Sequence, residues 1–187
     1  MKLVILDRDG TINVDSDEYV KSADEWMPLP GALEAIARLN HAGWHVVVAT
    51  NQSGLGRGLL DMAAVNAVHA HMQRQLAAAG GRIDAVFLCP HAPDEGCQCR
   101  KPAPGLLLQI GERYGVDLAQ VPYVGDSLRD MQAAFAAGCE PHLVCTGRHP
   151  ELAGQSEAPA GFPPGTRVHA DLAACVHHLL SVPTAGA

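Results

Sequence analysis

Short aliphatic runs alternate along this chain with longer stretches of helical period. Leu3, Val4, Ile5 and Leu6 read as a buried strand. Over residues 31–41, Leu33, Ile36 and Leu39 recur at helical spacing, and Gly43 supplies a stop. "WHVVVA" at 44–49 is a second strand. Asp61 is placed to cap a helix reaching residue 79, with Met62, Val65, Val68, Met72 and Leu76 in one apolar stripe. Residues 83–88 predict a third strand, and 104–114 a helix closed by Gly115. Strand 121–124 leads into helix 128–137, with Leu128, Met131 and Phe135 inward and Gly138 as its stop. A fifth strand at 142–145 follows. A mobile loop is expected at 154–165, an edge strand at 167–170, a helix at 171–180 and a frayed end over 182–187. No internal repeat is visible.

Strand–helix alternation of this kind predicts an α/β, Rossmann-like three-layer fold, with a mainly parallel sheet between helices. A length of 187 residues suits one domain spanning 1–187. In such sheets ligands bind beyond the carboxyl ends of the strands. The loops after Leu6, Ala49, Leu88 and Val124 are therefore the ones that matter.

Composition narrows the field. A formal charge of −7 argues against a nucleic-acid binder, which presents clustered Lys and Arg. No stretch approaches the roughly 18 apolar residues of a membrane span. Asp7 and Asp9 interrupt the only apolar run near the start, so no export signal is expected, and the chain is read as cytoplasmic. Its six cysteines are then thiols or metal ligands. A monomer is expected.

Each of the four loops carries polar residues of a matching kind. Asp7 and Asp126, at two strand ends, suit Mg²⁺, a hard cation that takes carboxylate oxygens. Asp130, one helical turn beyond, can hold a metal-bound water or orient Asp126. A carboxylate such as Asp7 can act as a covalent nucleophile on phosphorus. Thr50 offers a hydroxyl to phosphate oxygens, and Lys101 a compact cation to balance the phosphorylated state. Asp9, two residues after Asp7, is placed to protonate a leaving oxygen and then activate water. Singly, each feature has an ordinary structural reading: Asp126 as a helix cap, Lys101 as a surface lysine. Together at four strand ends they point to phosphoryl transfer.

"CPHAPDEGCQC" supplies Cys89, His91, Cys97 and Cys99, a three-thiolate, one-imidazole set that suits tetrahedral zinc. Four protein ligands leave no open position, so that zinc would be structural, pinning the loop at about 89–99. A set of reduced surface thiols is the plainer reading of the same residues. Arg100 and Lys101 follow directly, aimed at the rim, where the Arg100 fork could grip a second phosphate or a sugar hydroxyl. Cys139, Cys145 and Cys175 read as small buried hydrophobes.

"DRDGT" after an aliphatic strand, Thr50 ending a second, Lys101-Pro102, and "GDSLRD" resemble the haloacid-dehalogenase-like phosphatases over about residues 3–147. That resemblance implies Asp7 as nucleophile, Asp9 as general acid/base, Thr50 and Lys101 on the phosphoryl group, and Mg²⁺ held by Asp7, Asp126 and the Asp9 carbonyl with Asp130 in support. Large caps in that superfamily are inserted after the first or second motif; here both intervals are too short, implying an open site. With "LDRDGTINVD", "TNQSG" followed by Arg57-Gly58, and the C-x-H…C-x-C-R-K-P arrangement, the chain closely resembles the D-glycero-D-manno-heptose 1,7-bisphosphate 7-phosphatase family of bacterial heptose-nucleotide synthesis. By that likeness Asp15, Tyr19, Asn51, Gln52, Ser53, Arg57, Arg100 and Ser127 line the sugar bisphosphate. Ser127 stands where many members carry lysine. The zinc-bearing histidinol-phosphate phosphatases share scaffold and mechanism. A phosphotransferase, or a non-catalytic zinc-loop binding module, could be built from the same scaffold.

Overall fold

The computed structural model describes residues 1–182; beyond Val182, the expectation of a frayed end lies outside the described residues. Among those residues, six strands form one sheet in the order β3-β2-β1-β4-β5-β6: β1 Leu3–Leu6, β2 His45–Asn51, β3 Ala85–Cys89, β4 Pro122–Gly125, β5 Glu140–Val144 and β6 Arg167–His169. Every neighbouring pair is parallel. The helices are α1 Ala32–His41, a single turn α2 Ser53–Gly56, α3 Met62–Ala78, α4 Gly105–Tyr114, α5 Leu128–Ala137 and α6 Leu172–Ser181. Strand alternation sends Val4, Leu6, Val46 and Val48 to a core shared with α1, α3 and α6. Leu3, Ile5, Val47 and Tyr123 face the opposite core, shared with α4 and α5. The expected three-layer architecture is thus present, and it explains why the strands read as unbroken apolar runs.

The strand order turns around at β1. The chain builds outward through β2 and β3, then returns to place β4 on the other side of β1. Asp7 N–H still donates to the Val124 carbonyl at 2.8 Å, so the ends of β1 and β4 stay together as their loops diverge. This is the switch point at which open α/β sheets bind ligands.

Several expectations need correction. Thr50 and Asn51 lie in β2, not in the loop after it, because pairing with β3 continues through Thr50–Leu88 and Asn51–Cys89. The turn α2 was not foreseen. Phe135 faces solvent (54% exposed): α5 packs instead through Met131, Ala133 and Ala134, whose small side chains bring the helix close. Met62 is also exposed, since burial along α3 begins only at Val65. The Asp61 cap is present, its carboxylate accepting from Ala64 N–H at 2.8 Å. Cys139, Cys145 and Cys175 are buried.

The two methionines of α3 should therefore behave oppositely. Met72→Ala, at a wholly buried position, should destabilise by about 2–5 kcal/mol, whereas Met62→Ala should stay within about 0.5 kcal/mol. Urea unfolding of the two variants measures the contrast.

Candidate active site

An open cleft of about 300 Å³ lies at the carboxyl ends of β1, β2 and β4. All fourteen residues expected to touch phosphate, sugar or magnesium line it, from Asp7, Asp9 and Thr50 to Lys101, Asp126 and Asp130. Arg129 and Arg148 line it as well and were not anticipated.

The floor is a buried ion-pair knot. Lys101 Nζ lies 2.8 Å from Asp7 Oδ1 and 2.7 Å from Asp130 Oδ1, and it also reaches the Tyr123 hydroxyl at 2.9 Å and the Ala49 carbonyl at 3.1 Å. Burial by itself would lower this lysine, but Asp130 and Asp7 outweigh it and hold the ammonium above its ordinary value. Asp130 is fully engaged: Tyr123 donates to Oδ1 at 2.8 Å and Ser127 Oγ to Oδ2 at 2.6 Å. Burial would raise it, yet Lys101 and these hydrogen bonds pull its pKa below the usual carboxylate range. Asp130 thus orients Lys101, in addition to lying beside Asp7 and Asp126, where the sequence suggested that it would hold a metal-bound water or orient Asp126. Ser127 is the α5 cap, in a reciprocal capping box with Asp130.

Asp7 and Asp126 are in the opposite condition. Burial, then Asp130, raises Asp7 to about 7; burial, then Asp7, raises Asp126 to about 8. Oxygens of Asp7, Asp126 and Asp130 lie within 4.8 Å of one another. Such crowding of carboxylates, two of them driven toward the protonated form, fits a divalent cation. Asp126 is held by the Arg148 N–H at 3.1 Å, between the backbones of Gly10 and Gly147; a Cβ at either glycine would overlap its carboxylate.

Asp9 is differently placed. Arg8, which is fully buried, donates to its carboxylate from Nε at 3.0 Å and Nη2 at 2.8 Å; Asn13 and Gln52 add bonds of 2.9 and 3.0 Å. Burial opposes, but Arg8 and these donors keep Asp9 ionised below its ordinary range. Gln52 also donates to Thr50 Oγ1 at 3.0 Å, and Asn51 clamps the backbone of Lys101 through two 3.1 Å bonds. Arg8 and its contact His69 (3.1 Å) were missed as site residues; an arginine after a strand carries no signal until its burial is known. Arg148 pairs with Asp15 at 2.6 Å and Asp17 at 3.0 Å, joining the first loop to the last. Tyr19 has φ +67°, an uncommon backbone state for a non-glycine residue, and its hydroxyl faces Ser53 Oγ at 3.5 Å.

Beside the cleft, Cys89, His91, Cys97 and Cys99 converge. Cys99 Sγ is 3.1 Å from Cys89, 3.6 Å from Cys97 and 3.2 Å from His91 Nδ1, and the two remaining contacts from Cys89 are 3.5 and 3.6 Å. A tetrahedral zinc with bonds near 2.3 Å separates its ligands by about 3.8 Å, so a small expansion accommodates one. Gln52 N–H donates to the Cys89 carbonyl at 2.8 Å, tying this loop to the one after β2.

A sequence profile of haloacid dehalogenase-like hydrolases matches residues 12–138. The chain is 61% identical to the Bordetella bronchiseptica protein named D-glycero-beta-D-manno-heptose-1,7-bisphosphate 7-phosphatase, covering 96% of this chain and 98% of that one. The Pseudomonas aeruginosa protein of the same name is 52% identical, with coverages of 95% and 97%. A crystal structure of the heptose bisphosphate phosphatase from B. bronchiseptica, complexed with magnesium and phosphate, superposes with a TM-score of 0.91 at 61% identity over 96% of this chain and 98% of that one. The corresponding enzyme from Burkholderia thailandensis gives 0.75 at 52% identity, with coverages of 97% and 100%.

The raised carboxyls make a prediction about pH. Native Asp7 and Asp126 bind protons that the unfolded chain has released above about pH 4, so their contribution to metal-free stability is full at low pH and is lost as pH rises through about 7 and 8. Mg²⁺ should reverse that loss. The increase in Tm on adding Mg²⁺ should be larger at pH 8.5 than at pH 6, as measured by calorimetry with and without the ion.

Proposed function

The chain belongs to the haloacid dehalogenase-like hydrolases, and from that premise we propose that it hydrolyses the 7-phosphate of D-glycero-β-D-manno-heptose 1,7-bisphosphate. The product is the 1-phosphate, for heptose-nucleotide and surface-glycan synthesis. The observation that carries this reading is 61% identity over nearly the whole chain to a protein of that name. The geometry of the cleft supports it.

Asp7, at the end of β1, attacks phosphorus and the phosphorus–oxygen bond to the sugar breaks, while Asp9, which takes up a proton from solvent as the ester binds, donates it to the departing sugar oxygen. Lys101 balances the charge gathered on the resulting aspartyl phosphate, and Thr50 donates to its oxygens. Asp9 then takes a proton from water, which attacks the same phosphorus and regenerates Asp7. Magnesium bound by Asp7, Asp126 and the Asp9 carbonyl, with Asp130 in support through Lys101, would neutralise the carboxylates so that an anionic ester can approach. Arg8 keeps Asp9 ionised in the empty cleft; the negative ester opposes that field and raises its proton affinity for the first step. Asp15, Tyr19, Gln52, Ser53, Arg57, Arg100 and Ser127 form the surroundings of the sugar, with Asn51 acting through the Lys101 backbone. An open cleft admits the water that a phosphotransferase would have to exclude.

The same reading assigns a structural zinc to Cys89, His91, Cys97 and Cys99, supported by their convergence. It places one domain over the chain, acting as a monomer in the cytoplasm. Six free cysteines support a reducing compartment, and no helix among the described residues is long and apolar enough to cross a membrane.

Phosphate release with Mg²⁺ should favour the β-anomer of the heptose bisphosphate over the α-anomer and over histidinol phosphate. Asp9→Asn should lower kcat by about 10²–10⁴-fold, and Asp7→Asn should abolish turnover while leaving the fold intact. Equal rates on all three esters would reduce the reading to a general phosphatase, and an active Asp7→Asn would remove its nucleophile.

Zinc removal gives a separate expectation. Stripping the loop with a chelator and restoring Mg²⁺ should raise KM through Arg100 before kcat falls. A drop in kcat alone would detach the loop from substrate binding.

A further inference from the structure

The last quarter of the chain brings soft donors together well away from the catalytic cleft. His142 lies in the middle of β5, His169 ends β6, and Cys175 sits in the first turns of α6. One ring nitrogen of each histidine and the Cys175 sulfur all lie within 4.8 Å of one another. His142 Nδ1 faces His169 Nε2 at 3.0 Å, with the two rings stacked at 5.2 Å between centroids and 17° between planes.

Packing alone does not account for this arrangement. His142 is 1% exposed and its Nε2 has no hydrogen-bond partner; the nearest carboxylate oxygen, on Glu140, is 3.9 Å away. Buried imidazole nitrogens are ordinarily satisfied. The contact between the two rings uses a single hydrogen, so one nitrogen in it must present a lone pair. Cys175 is wholly buried against the same rings. His178, one turn further along α6, closes the cluster with its ring 5.4 Å from that of His169, while its Nε2 is engaged by Arg167 at 3.2 Å. A cavity of about 760 Å³ beyond the amino ends of the strands is lined by Glu140, Arg167 and His178, which border the cluster.

We propose that His142, His169 and Cys175 form a second metal site, for a borderline divalent transition cation of the zinc class. Two imidazoles and a thiolate are a donor set such ions select over oxygen-seeking magnesium. On binding, Cys175 releases its thiol proton to solvent and forms the sulfur–metal bond; no electron is transferred. The thiolate and Glu140 offset the neighbouring Arg167. Three protein ligands leave one position for water. Because the ligands come from β5, β6 and α6, the ion staples the final strand and helix onto the sheet. This site is independent of the proposed loop zinc and of the reaction.

Cobalt tests it, because its thiolate charge-transfer absorption in the near ultraviolet counts metal bound to cysteine. The full chain, stripped by chelator and held in saturating Mg²⁺, is titrated with Co²⁺. Cys175→Ser and His169→Ala should each bind one thiolate-coordinated equivalent fewer than the unmodified protein. They should also lose the rise in Tm that accompanies that equivalent. The difference holds whether or not the Cys89–Cys99 loop takes cobalt. Equal stoichiometry in the unmodified protein and in His169→Ala overturns the proposal; should Cys175→Ser fail to fold, His169→Ala decides alone, its position on an edge strand making it the milder change.

Discussion

A buried lysine between two carboxylates sets the terms for everything else in the cleft. Lys101 lies within 2.8 Å of both Asp7 and Asp130 with almost no solvent to screen it. Removing one member of such a group strands a buried charge, which typically costs about 3–5 kcal/mol. The knot is not symmetric, however. Asp130 is saturated by Lys101, Tyr123 and Ser127, whereas Asp7 shares the same ammonium and Asp126 is attracted to it only weakly. The negative charge left over therefore gathers on Asp7 and Asp126, facing the open side of the cleft. A divalent cation placed there would offset it.

The sheet makes this asymmetry possible. Because β1 and β4 are parallel neighbours at the point where strand order reverses, Asp7 and Asp126 leave the sheet side by side. Their loops must then stay close without filling the space between them. Gly10 and Gly147 meet that demand, since a side chain at either would overlap Asp126; Gly10 also adopts φ +80°, which other residues seldom take. The Thr146 hydroxyl donates to the Gly10 carbonyl at 2.7 Å and fastens the two loops together. The aliphatic strands thus do more than fill a core: they deliver a rigid frame that holds the crowded acids in place at the floor of the cleft.

The sequence made the frame and the floor legible for one reason: both rest on periodicity and strand ends. Apolar runs announced five of the six strands, and Asp7, Thr50 and Asp126 stood at or just past the ends of three of them, while Lys101 follows the third only after the Cys/His loop. Features that depend on the third dimension were hidden. The link from Asp130 to Lys101 was hidden, because one-turn spacing to Asp126 is visible in sequence while the approach of Lys101, 29 residues away, is not. Arg8 escaped notice for a similar reason: it is a surface residue by type and a buried one by position. Phe135 and Met62 were read as core from spacing that the helices satisfy with smaller or later residues.

The arginines of the cleft carry this asymmetry outward. Arg8 is committed to Asp9, and Arg148 to Asp15 and Asp17. Arg100, Arg129 and Arg57 line the same cleft, and burial followed by the like charge of Arg129 lowers Arg100 from its ordinary value. Ser127, standing where relatives of the resembled family often carry lysine, is spent on capping α5 and adds no charge. Under the proposed reading, the cations that remain free are those at the rim, and the anions that remain free are those at the floor. Under that reading a ligand with two phosphates meets both ends, one phosphate over Asp7 and the other against Arg57, Arg100 and Arg129. An ester with a single phosphate fills the floor and leaves the rim strained. Charge placement along the cleft thus favours a bisphosphate over a monophosphate, while the choice of which phosphate is cut falls to the groups around the sugar.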